Sequence, residues 1–209
     1  MDSLFRILII FSLLMLSRVI TAAEDIDSYN ELAPENQAVV NQLGFNLQAS
    51  VQQAGISNEL TINQLGTGHL VKAIQQGEQH LLSINQTGFD NEITIAQTGW
   101  QHYAEIDQHG AGNTLDLLQD GELHQLDITQ LGSNNNAELS QFGSEMLISM
   151  IQSGTDNYAN ITQSGFDNQA FVEQVGANNY ADITQDGSGL RVSVRQYGSN
   201  NSTTVRQYN

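Results

Sequence analysis

The sequence predicts an all-β chain wound as a two-sided β-solenoid, in which strand–turn–strand coils of 22 residues build two parallel sheets. Three observations predict it. A Gln recurs every eleven residues from Gln42 to Gln207 without insertion or deletion, and a Gly stands two places after every one but the last. Aliphatic residues also occupy the positions two and four places before each Gln, apart from Thr203. Repeats this regular are the signature of stacked supersecondary units.

Residues 1–23 are read as a secretory signal. The apolar run from Ile7 to Leu16 is short for a bilayer span, and the small residues Thr21, Ala22 and Ala23 mark a cleavage site. Residues 24–35 form an acidic amino-terminal segment with Glu24, Asp25, Asp27, Glu31 and Glu35, interrupted by the chain's one Pro, Pro34. Residues 36–209 are the repeat array, about sixteen eleven-residue units.

Within the array the Gln positions are Gln42, Gln53, Gln64, Gln75, Gln86, Gln97, Gln108, Gln119, Gln130, Gln141, Gln152, Gln163, Gln174, Gln185, Gln196 and Gln207. An eleven-residue period also fits a right-handed helical coiled coil. A Gly in every unit would cost such a helix about 1 kcal/mol each time. The apolar positions lie two apart and are largely β-branched, as in Ile62, Ile84, Ile95 and Ile106, which suits a strand with one buried face. Each unit therefore reads as a strand of about six residues followed by a turn through the Gly.

The position six before Gln doubles the period. It is Asn91, Asn113, Asn135, Asn157, Asn179 and Asn201 in alternate units, and His80, His102, His124, Met146, Asn168 and Leu190 in the others. Each coil thus holds two strands. With coils about 4.8 Å apart, Gln86 lies beneath Gln108 and Gln108 beneath Gln130. An amide side chain donates to one neighbour while accepting from the other, so the Gln and Asn rows read as stacking ladders. A one-residue slip would break every rung, which pins the register.

These residues resemble the curlin family, the subunits of bacterial curli fibres. The curlin repeat is Ser-x5-Gln-x-Gly-x-x-Asn-x-Ala-x3-Gln. Gln130, Gly132, Asn135, Ala137 and Gln141 fit it, as do Gln152, Gly154, Asn157, Ala159 and Gln163, and Gln174, Gly176, Asn179, Ala181 and Gln185. The leading Ser is replaced by His80, His102, His124, Met146, Asn168 or Leu190. The opening "EDIDSYNELAPENQAVVNQLG" is similar to that of the minor, nucleating subunit, and the closing "VRQYN" is more like the end of the major subunit. The resemblance implies an amyloid-like fold, export through the curli outer-membrane secretion pore with its accessory factors, and self-assembly with a partner curlin into an extracellular fibre. That fibre would lie on the surface of a Gram-negative-type bacterium and serve adhesion and biofilm matrix.

Charge and composition exclude other classes. The chain carries a formal net charge of −17, so its surface repels nucleic acid and anionic lipid. With no Cys it has neither disulfides nor a thiol nucleophile. No catalytic cluster, phosphate-cradling loop or cofactor motif stands out, so neither enzyme activity nor a cofactor is expected. Glu105, Asp107 and Asp127 lack a calcium-loop pattern, and His80, His102 and His124, stacked on flat rungs, do not make a metal tetrahedron. They read as a neutral ladder that acid weakens. An ice-binding face would want an outward Thr ladder, whereas the row Thr94, Asp116, Glu138, Asn160, Asp182, Thr204 is acidic. A capped adhesin would interrupt the repeat with insertions.

Outward Tyr158 and Tyr180 are expected to stack, with Phe89, Trp100 and Phe166 in turns. Glu105 falls under Asp127 and Asp116 under Glu138, like-charge stacks that slow polymerisation. Arg191, Arg195 and Arg206 crowd the last coils. They read either as charged gatekeepers of an open edge or as a docking end for an acidic partner.

Overall fold

The computed structural model describes residues 35–209, and the signal and most of the acidic segment lie outside the described residues. The described residues form sixteen strands, β1 (Gln37–Phe45) to β16 (Ser202–Tyr208). Odd-numbered strands, taken in chain order, make one eight-stranded sheet, and even-numbered strands make the other. Every pairing is parallel and in register at a separation of 22 residues, so Gln108 in β7 (Tyr103–Ala111) pairs with Gln130 in β9 (Gln125–Ser133). The architecture is the two-sided solenoid that the period implies.

Three inward residues per strand build the core: two aliphatics and the Gln. In β7 these are Ala104, Ile106 and Gln108, all fully buried. A single apolar cluster runs along the stack from Ala38 to Val194. Each Ile or Leu that it buries contributes about 1.5–3 kcal/mol. No coil can supply that alone, because a coil's apolar face is covered only by its neighbours.

The strands are longer than the sequence suggests. All but β16 span nine residues, and each includes the Gly. That Gly is not the turn. It sits inside the ladder at a φ between +100° and +146°, and at all but Gly187 and Gly198 a Cβ would land on the carbonyl oxygen of the Gly one coil on, as Gly132 would on Gly154. The reversal is made two residues later by a left-handed residue, Leu123 at φ 58° or Asn134 at 54°, for example. Twelve non-Gly residues hold this strained conformation, and Gly68, Gly112 and Gly189 fill it elsewhere. Phe89, Trp100 and Phe166, placed in turns by the sequence reading, are the last residues of their strands.

Candidate assembly surface

The Gln row is a continuous amide ladder along each sheet. Fourteen rungs join Nε2 of one Gln to Oε1 of the Gln one coil on, at 2.7 to 3.0 Å. The second amide hydrogen of most of these Gln bonds the opposite sheet, as when Gln130 donates to the carbonyls of Thr114 and Asn135 at 3.0 and 3.2 Å. The ladder therefore ties coil to coil and sheet to sheet.

A second ladder runs up the corner preceding the even-numbered strands. Nδ2 of Asn113 donates to Oδ1 of Asn91, the carbonyl of His109 and the carbonyl of Gly132. Its own Oδ1 accepts the backbone N–H of Asn135 at 3.1 Å. Asn135, Asn157, Asn179 and Asn201 repeat the pattern. Asn in this slot thus satisfies backbone groups that the bend takes out of the sheet.

The opposite corner carries His80, His102 and His124, fully buried and stacked with ring centroids 4.8 Å apart. Burial pushes the pKa of His80 and His124 down. It takes His102 to about 4, against the bond to the Thr98 carbonyl and with help from the rings above and below.

Several ladder members were not singled out in the sequence reading. Asn36 accepts from both nitrogens of Asn58, and Asn58 accepts the backbone N–H of His80. His69 plays the same part for Asn91. On the outer face Asn41, Asn63, Asn85 and Asp107 form a rung series at 2.8 to 2.9 Å. The signal for all of them is the 22-residue spacing, followed one or two coils further towards the amino end.

Other outward rows follow the register. Tyr158 and Tyr180 stack with centroids 5.3 Å apart. Glu105 pairs with Asp127 and Asp116 with Glu138. Arg195 and Arg206 each lie 3.5 Å from a carboxylate of the preceding coil, Glu173 and Asp182, while Arg191 is exposed on the last coil.

The two ends differ. At the amino end Oε1 of Gln53 is buried without a hydrogen-bond partner among the described residues. At the carboxyl end Thr203, the sole polar residue in its row, accepts from Gln196 at 3.0 Å. Asn209 replaces the last Gly, and its side-chain amide pairs with both backbone groups of Ser188. One end thus presents an unfilled acceptor, and the other partly satisfies itself.

In-register parallel coils, buried amide ladders and, among the described residues, strand edges open at both ends define a structural repeat protein of the fibre-forming kind. The family model for the curlin-associated repeat matches residues 88–121, 125–154, 154–187 and 176–208, more than half of the chain. The chain belongs to the curlin family, which supports a curli-type structural subunit and implies self-assembly into an extracellular fibre. The coils before Phe89 share the fold although the match begins at Gly88. No curated protein and no solved structure matches the chain.

Proposed function

We propose that this chain is the minor subunit of a curli-type fibre, which nucleates polymerisation of a partner curlin at the bacterial surface for adhesion and biofilm matrix. The observation that carries this reading is that, among the described residues, the amino-terminal strand edge is open and the buried Gln53 Oε1 is unfilled. An incoming coil that presents a Gln amide in register fills that valence and extends both sheets. At the other edge Gln207 Nε2 donates to one carbonyl, that of Arg191, which leaves its second hydrogen for a rung. The similarity of residues 24–44 to the opening of nucleating subunits supports the minor-subunit role.

Export follows the secretion pore and accessory factors of the family, after removal of residues 1–23. Arg191, Arg195 and Arg206 serve as the docking end for an acidic partner edge. Their replacement by Glu is expected to leave the coil stack folded while seeding falls; unaltered seeding would remove them from the interface. The decisive experiment adds the mature protein at substoichiometric amounts to a partner curlin and follows dye fluorescence. Loss of the lag phase supports nucleation. A persistent lag, with fibres formed by this chain alone, assigns it instead as the major subunit, the reading that "VRQYN" favours.

A further inference from the structure

The stacked imidazoles each make two bonds, and the bonds fix their tautomer. Nε2 of His80, His102 and His124 lies 3.1, 2.9 and 3.2 Å from the carbonyls of Gln76, Thr98 and Asp120. Nδ1 of the same rings lies 3.2, 3.3 and 3.4 Å from the backbone N–H of His102, His124 and Met146, one coil on. A carbonyl only accepts and a backbone N–H only donates, so Nε2 carries the proton and Nδ1 offers its lone pair. Each ring is therefore the acceptor that closes a coil junction. It holds a backbone N–H that the Asn corners elsewhere hold with Oδ1.

Protonation places a second N–H on Nδ1, aimed at a backbone N–H. It also sets cations 4.8 Å apart inside the core. Among the described residues no carboxylate is buried beside the rings. The charged residues on the strands that enter and leave this corner are Lys72, Glu78, Glu92, Glu105, Asp107, Asp116, Asp120, Glu122 and Asp127, and all occupy outward positions. Asp120 acts on His124 but does not reverse the effect of burial. Beyond Met146 the corners hold Asn157, Asn168, Asn179, Leu190 and Asn201, none of which titrates.

We propose that the His80–His102–His124 stack is an acid-sensitive latch, whose protonation opens the coil junctions between residues 80 and 146 while the carboxyl-terminal coils stay closed. Solenoid coils contact only their neighbours, so local opening need not spread through the stack. The folded-state pKa values lie below the ordinary 6.5. The latch is therefore fully closed above about pH 6.5 and loses strength as pH falls towards the folded value, about 4 for His102. At pH 5 that one shift weakens the closed state about thirtyfold.

The test is amide hydrogen exchange by mass spectrometry on the mature chain at pH 7.5 and pH 5, corrected for intrinsic exchange rates. Peptides within residues 81–146 are expected to lose at least tenfold in protection relative to peptides within 158–208. The H80N/H102N/H124N variant keeps the fold, because Asn168 already occupies this corner, and is expected to abolish the difference. Uniform loss along the chain, or a differential that persists in the variant, overturns the proposal. Solid-state ¹⁵N spectra of the wild-type chain give an independent reading: protonated Nδ1 at pH 7.5 would equally sink it.

Discussion

Gln108 donates through Nε2 to Oε1 of Gln130 at 2.7 Å, across a coil boundary that separates them by 22 residues. Gln130 repeats the act towards Gln152 at 2.8 Å. Each amide is thus donor and acceptor at once, with both functions used inside the buried core.

Removing an inner rung therefore strands two partners. Gln130→Ala orphans a hydrogen of Gln108 and the Oε1 of Gln152, removes the bonds to the Thr114 and Asn135 carbonyls, and leaves a cavity. The expected loss is about 2–5 kcal/mol. Gln207→Ala, at the exposed end, removes the bond from Gln185 Nε2 and the solvent-exposed bond to the Arg191 carbonyl, and should cost less than about 1 kcal/mol. Guanidinium midpoints of the two variants give the comparison, and equal losses would contradict the ladder as a source of stability.

The Gly row answers to a different constraint. Gly132→Ala pushes a Cβ onto the Gly154 carbonyl at φ +113°, so a loss above about 4 kcal/mol and failure to form β structure are expected by circular dichroism. Gly189 has φ +67° and open space around it, so Gly189→Ala should cost only about 1 kcal/mol.

Leu123 holds a left-handed conformation at φ 58° that costs a bulky residue about 1–2 kcal/mol. Leu123→Gly is expected to raise stability by about 0.5–1 kcal/mol, after the entropy that Gly adds to the unfolded chain. A thermal melt checks it, and a lower midpoint would mean that the Leu123 side chain contributes more through packing than its strain costs.

Asp127 lies in register with Glu105, and partial burial together with Glu105 and Asp107 pushes its carboxyl pKa up. A carboxyl raised in the folded state destabilises it above that pKa and ceases to do so once protonated. Asp127→Asn should therefore stabilise the coil by about 0.5 kcal/mol at pH 7. The gain should vanish below pH 3.8, the ordinary value. Melts at the two pH values separate this from a pH-independent packing effect.

Much of this architecture was legible beforehand. The spacing of Gln152 and Gln174 dictates that they share a face and a level, since only a 22-residue coil brings them together. The alternation of Ile148 and Met150 with Ser149 and Ile151 indicates which side is inward. The length of the strands was not legible, because Gly154 looks like a turn residue until its neighbour Gly176 is in place. Nor was the bonding of His102, which depends on a backbone N–H two strands later in the chain. Asn36, Asn58 and His69 belong to the same corners but stand in coils where the neighbouring letters change.

The amino-acid sequence alone determined the coil, its length, its inward face and the family, because all four depend on periods that any single strand must obey. The tertiary structure alone decided which atoms of those residues pair: why Gly is required inside a strand, which imidazole nitrogen carries the proton, and why Gln53 lacks a donor among the described residues. The physical reason is that a hydrogen bond or a steric clash belongs to two coils at once. Its geometry exists only after one coil has been laid on the next.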